Sequence, residues 1–75
     1  MDKQFAAARK ALSRRVRARR KALGVSQEQL AFDANLDRTY VSQIERGIGN
    51  PSLLVLCKLS TVLGINLQEL FSKDV

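Results

Sequence analysis

The sequence predicts an all-α domain of five helices occupying residues 1–75. Three observations carry this reading. Apolar residues recur at spacings of three, four and seven without a strand pattern, Gly or Asn closes successive periodic runs, and Ser, Asp or Asn stands where the next run begins. A chain of 75 residues is also below the size at which a single core is comfortably stable, which favours a compact helical fold or a dimer.

The first helix runs from about Lys3 to Leu23, with Phe5, Ala8, Leu12, Val16 and Leu23 on one apolar stripe. Gly24 ends it, and Val25 supplies the closing hydrophobic contact of a Schellman-type stop. Ser26 with Gln29 is a capping-box pattern opening the second helix, in which Leu30 and Ala31 share one turn. Asn35-Leu36 break that helix, and Asn35 occupies a turn position that needs positive φ, where Asn is the best substitute for Gly. Asp37 is the N-cap of the third helix, Val41 and Ile44 repeat the apolar signal, and Gly47 stops it. Ser52 caps a fourth helix that reaches Leu63, with Gly64-Ile65 as its stop. Its core side is assigned to Leu53, Leu56, Cys57, Ser60 and Leu63, while Leu54 projects with Lys58 and Thr61, and Val55, Leu59 and Val62 lie between. Asn66 and Glu69 suggest a capping box for a short fifth helix ending near Ser72, and at most two of Leu67, Leu70 and Phe71 can turn inward.

The stretch Gln27–Ile44 is the most informative. Ala31 lies where the second and third helices cross, and a single methyl there lets them pack at the steep angle of a helix-turn-helix. Charge points the same way. Residues 1–21 hold nine Lys/Arg against Asp2 alone, residues 22–75 hold four against six acids, and the whole carries +6. A charge run is by default a solvated face, but beside a helix-turn-helix the phosphate-attracting reading overtakes it.

One cysteine and no histidine exclude an intrachain disulfide and any two-Cys or Cys/His metal site. Cys57 is read as a small core hydrophobe. An enzyme would need a nucleophile, base or metal cluster that this composition does not supply, and Asp33 and Asp37 are better explained as solvent and cap residues. No apolar run approaches a membrane span, and the N-terminus lacks the apolar region of a signal peptide, so the expected location is cytoplasmic. A membrane-surface role for the basic first helix is disfavoured by the thin apolar face of Phe5 and Leu12.

The segments QEQLAFDANLDRTYVSQI, IERGIGNPSLLVL and LGINLQELF, taken by position over residues 13 to 71, resemble the Cro/repressor-type helix-turn-helix family, also called the xenobiotic-response-element family. LDRTYVSQIERG followed by NPSL is especially similar to the controller proteins of restriction-modification systems and to prophage-type regulators. The resemblance implies a lambda-repressor-like five-helix domain with its helix-turn-helix at 27–46 and residues 1–12 as an N-terminal extension of the first helix. It implies a sequence-specific transcriptional regulator, acting as a homodimer on a near-palindromic double-stranded DNA operator, with no cofactor, small-molecule ligand or membrane partner. A DNA-binding antitoxin shares the fold and stands as the alternative.

In that frame the third helix is the recognition helix. With Val41 and Ile44 inward, Thr39, Ser42, Gln43 and Arg46 fall on the opposite side and Arg38 and Tyr40 on the flanks. Arg38, Thr39, Ser42 and Gln43 are the expected base contacts: Arg suits guanine O6 and N7, Gln suits adenine N6 and N7, and the Thr methyl suits thymine. Polar residues also line any surface helix, and Tyr40 either packs its ring over the second helix or offers its hydroxyl to a phosphate. The family positions of Gln27, Arg46, Asn50 and Ser52 imply phosphate contacts, although Asn50 before Pro51 is also a common turn residue. Arg14, Arg17 and Lys21 share a solvent face of the first helix, where Arg17 and Lys21 reach flanking phosphates or simply keep the chain soluble.

Arg20 falls on the stripe of Val16 and Leu23 and points inward, so it needs a partner. Glu45 matches the family's acidic position that pairs with an arginine of the first helix, which gives Arg20–Glu45 as a structural ion pair. Leu54 is an apolar residue on a polar face where family members often carry a polar one, so Leu54, Leu67 and Phe71 are the expected dimer surface, against the plain reading of scattered exposed apolar residues.

Overall fold

Asp2 accepts a hydrogen bond from the Phe5 N–H at 3.0 Å and starts α1 (Lys3–Ala22), whose 20 residues span about 30 Å. That is comparable with the longest dimension of the molecule, which measures 31 × 24 × 19 Å. The computed structural model describes residues 2–73 and has no strand among them. Beyond α1 lie α2 (Gln27–Asp33), α3 (Arg38–Glu45), α4 (Leu53–Leu63) and a 3-10 turn, Gln68–Phe71. At 7 and 8 residues, α2 and α3 are too short to persist alone, so docking holds them. α1 is the spine against which α3, α4 and the 3-10 turn pack, and α2 packs on α3 and α4.

Each helix begins on a side-chain cap: Ser26 accepts from Gln29 N–H, Asp37 from Thr39 N–H and Ser52 from Val55 N–H. The stops follow the sequence too. At the end of α3, Gly47 N–H bonds the Ile44 carbonyl and Ile48 N–H bonds the Gln43 carbonyl, a Schellman pair that requires the positive φ of 72° at Gly47. Asn35 turns the chain between α2 and α3 at φ 55°. Leu30, Ala31, Val41 and Ile44 are buried where those helices cross, with Leu12 and Val16 of α1, Val55, Leu59 and Leu63 of α4, and Leu70 completing the core.

Four expectations are corrected. The fifth helix is a 3-10 turn: the Asn66–Glu69 capping box forms in both directions, but the backbone bonds that follow, such as Leu70 N–H to the Leu67 carbonyl, all close three residues back. The core face of α4 is the expected one only in part: Ser60 and Leu63 are buried as expected, but the rest of the face is shifted. Val55 and Leu59 are buried, whereas Leu53 is 66% exposed and Cys57 is exposed; the helix is apolar around most of its girth, so spacing could not fix its phase. Leu23 is 45% exposed because α1 ends one residue before it. The Ser26 box is only half formed, since the Gln29 amide turns to Asp33 at 2.8 Å.

Ala31 is 2% exposed, so Ala31→Leu should force α2 and α3 apart and destabilise by about 1–3 kcal/mol. Exposed Gln4→Ala should stay within about 0.5 kcal/mol of the parent. Urea unfolding followed by circular dichroism measures both.

Candidate nucleic-acid interface

Glu45, on the last turn of α3, is 2% exposed and therefore a buried charge that must be compensated. Arg20 meets it with two donors, Nε to Oε2 at 2.6 Å and Nη2 to Oε1 at 3.0 Å. The Gln27 amide at the start of α2 donates to Oε1 at 3.1 Å. The backbone carbonyl of Glu45 accepts from Ser13 Oγ at 2.6 Å and from Arg17 Nη2. Arg20 also donates to the Val25 carbonyl at 2.9 Å, so the Arg20–Glu45 pair, with Gln27, ties α1, the α1–α2 loop, α2 and α3 together. Burial pushes the Glu45 carboxyl up, but the hydrogen bonds from Arg20 and Gln27 and the charges of Arg20 and Arg17 outweigh it and hold the group below its ordinary range. The hydrogen bond to Glu45 correspondingly raises Arg20 against the cost of its burial.

This network fixes one side of α3 and leaves the other open. Thr39, Gln43 and Arg46 are exposed and Ser42 is half-buried. Arg38 is 65% exposed, with Glu28 of α2 3.9 Å away, a separation at which a surface pair has little hold. Tyr40 is half-buried and packs against the core, so its ring serves the fold and only its hydroxyl is left for a ligand. Lys21 and Asn50 are exposed. Ser52 accepts the α4 cap bond yet keeps its hydroxyl proton to donate.

Two residues assigned to phosphate have protein partners as well. Gln27 is half-buried on Glu45, and Arg17 bends to the α3 C-terminus while its side chain remains 49% exposed. Of the residues assigned to a dimer surface, Leu54 is 64% exposed, Leu67 packs partly on the core, and Phe71 lines an apolar groove with Phe5, Pro51 and Leu56 in which Leu54 has no part.

The sequence reading missed three other arginines. Arg19 Nε donates to the Leu63 carbonyl at 2.7 Å, Arg9 Nη1 to the Gly49 carbonyl at 3.3 Å, and Arg15 lies 3.8 Å from Glu69. A signal existed: Arg9, Ser13 and Arg17 are spaced four apart and share the face that meets α3 and its following loop.

Glu45→Ala should cost about 3–5 kcal/mol, because Arg20 is left without its carboxylate. Glu45 is held below its ordinary value of 4.5, so its ionised form contributes in full above that value, and the contribution is lost as pH falls through the lowered native one. Urea titrations of the parent and Glu45→Gln at pH 7 and pH 3 should show the parent's advantage shrinking in acid.

The comparisons with known proteins agree with this geometry. The control protein C.MunI of Mycoplasma sp. is 52% identical over 54 residues, which cover 72% of this chain and 73% of that protein. The crystal structure of the restriction-modification controller protein C.AhdI from Aeromonas hydrophila superposes with a TM-score of 0.78 at 49% identity, over 81% of this chain and 92% of that one. SinR, a master regulator for biofilm formation solved in complex with DNA, matches with a TM-score of 0.77 at 35% identity, over 81% of this chain and 98% of its own. These relatives are regulators and controller proteins rather than enzymes. With the crossing of α2 and α3 on Ala31, the polar outer row of α3 and a helix-turn-helix family model matching residues 16–70, the chain belongs to the helix-turn-helix family of DNA-binding transcriptional regulators.

Proposed function

We propose that this chain is a sequence-specific transcriptional regulator that works in the cytoplasm as a homodimer on a near-palindromic DNA operator, without cofactor or small-molecule ligand. The observation that carries the reading is the outer row of α3, a run of polar hydrogen-bonding side chains on a helix fixed at its far end by Glu45. α3 enters the major groove, with Arg38, Thr39, Ser42 and Gln43 on base edges. Lys21, Arg46, Asn50, Ser52 and the Tyr40 hydroxyl meet phosphates beside the N-terminus of α2, where Gln27 and the exposed edge of Arg17 join them. The exposed Leu54 supports pairing of two copies through α4, with Leu67 and Phe71 at its margin, and a two-fold dimer doubles every one of these contacts. The antitoxin alternative is not carried forward, since the relatives are controllers and regulators.

Gel shifts on the selected operator test the recognition surface. Gln43→Ala and Arg38→Ala should each cost about 1–3 kcal/mol and relax preference at one base position per half-site. Lys21→Ala should weaken operator and random DNA alike and reduce the slope of log K against log salt by about 0.9. Unchanged base preference in both α3 variants would mean that the wrong face has been placed in the groove.

Assembly has its own test. Leu54→Glu should set like charges near the two-fold axis and split the dimer in sedimentation, with helix content unchanged. Operator affinity should then collapse while random-DNA binding falls modestly, because half-sites roughly 34–36 Å apart are no longer read together. A parent that stays monomeric on its operator would overturn the homodimer.

A further inference from the structure

Phe5 and Arg9 lie before residue 16, where the family match begins, yet they reach into the part of the molecule that follows α3. Arg9 Cζ sits 4.9 Å over the centroid of the Phe5 ring, which orients the guanidinium by cation–π attraction. From there Nη1 donates to the Gly49 carbonyl at 3.3 Å, across 40 residues of sequence. Phe5, Arg9, Asn50, Pro51 and Phe71 line one apolar groove, so the N-terminal turns of α1 form one wall of the loop's seat.

That loop, residues 46–52, is anchored at its start by the backbone bonds of Gly47 and Ile48 and at its end by the Ser52 cap, with Gly49 between the two anchors. It contains no regular structure, and its glycines Gly47 and Gly49 stand at φ 72° and 85°, a region that costs glycine nothing and so does not by itself hold the backbone in one place. Its position matters to α3 directly: a Cβ built on Gly49 would come within 3.7 Å of Gln43 Oε1. The loop backbone therefore borders the side chain assigned to base reading, and the next residue, Asn50, is assigned to a phosphate.

We infer that Arg9, seated on Phe5, is a positioning residue for DNA recognition: by holding the Gly49 carbonyl it fixes the loop that presents Asn50 and borders Gln43. Arg9 acts through the loop and does not touch the nucleic acid. The inference rests on the regulator reading above, and it places determinants of affinity in the extension of α1 outside the family match.

The test uses the full chain with Arg9→Ala, Arg9→Lys, Phe5→Leu, which keeps the groove filled without an aromatic face, and Phe5→Tyr, which keeps the face. Thermal unfolding, amide order parameters of residues 47–50 in the free protein, and operator titrations at three salt concentrations are measured for each. Arg9→Ala and Phe5→Leu should unfold near the parent temperature, lower the loop order parameters and weaken operator binding about three- to tenfold, as expected for one lost hydrogen bond. The salt slope should not change, Arg9→Lys should fall between, and Phe5→Tyr should match the parent. In the Asn50→Ala background, Arg9→Ala should weaken binding by less than in the parent, because the two act through one element.

A slope smaller by about 0.9 with equal losses on operator and random DNA would overturn positioning in favour of a direct phosphate contact. Unchanged loop order in both Arg9→Ala and Phe5→Leu overturns the brace whether or not DNA is bound. A parent that binds no DNA while Arg9→Ala still loosens the loop would overturn the regulator reading and leave the brace standing.

Discussion

The fold depends on a buried carboxylate. Glu45 is almost wholly withdrawn from water; the cost of burying its charge is met by Arg20 and Gln27 on the carboxylate and by the nearby charge of Arg17, while Ser13 and Arg17 take its backbone carbonyl. Those donors come from α1 and from the first turn of α2, so the closed arrangement exists in one register of the three helices. An apolar contact at the same place would tolerate a slide of α3 along α1; a bidentate guanidinium does not. The pair thereby serves geometry more than net stability, since it sets the height and rotation at which α3 stands out from the surface.

α1 repeats this logic along its length. The C-terminal carbonyls of α3 and α4, where helix dipoles leave partial negative charge, each receive an arginine: Arg17 on Glu45 and Arg19 on Leu63. Arg15 lies beside Glu69 and Arg9 holds Gly49. Much of the positive charge of residues 1–21 is thus spent inside the fold, and the exposed Lys3, Lys10, Arg14 and Lys21 supply the field that an approaching polyanion would meet. A net charge of +6 does not distinguish these two uses of arginine, which differ only in where each side chain ends.

The surface opposite the buried pair has the complementary character. On α3 the side chains facing away from Val41 and Ile44 are polar and of different lengths, and the two positions nearest the core edge, Ser42 and Tyr40, are half-buried. Rigid support from within and hydrogen-bonding diversity without are the two properties needed to read base edges, where a displacement of a fraction of an ångström forfeits a bidentate contact.

The sequence by itself determined what is local. The caps Ser26, Asp37 and Ser52, the turn at Asn35, the stops at Gly24, Gly47 and Gly64 and the small residue at the α2–α3 crossing each follow from bonds closed within a few residues, and the inward aim of Arg20 follows from its place on the stripe of Val16. The tertiary structure decided what depends on a partner element. α4 carries apolar residues on nearly every side, so only its docking against α1 and α2 chose Val55 and Leu59 for the core and left Leu53 and Cys57 outside. The spacing of Arg9, Ser13 and Arg17 marks one shared face, but the particular acceptors that Arg9, Arg17 and Arg19 reach were unreadable: a guanidinium on a long flexible stem takes the nearest backbone carbonyl or carboxylate, and which one is nearest exists only after the helices have packed.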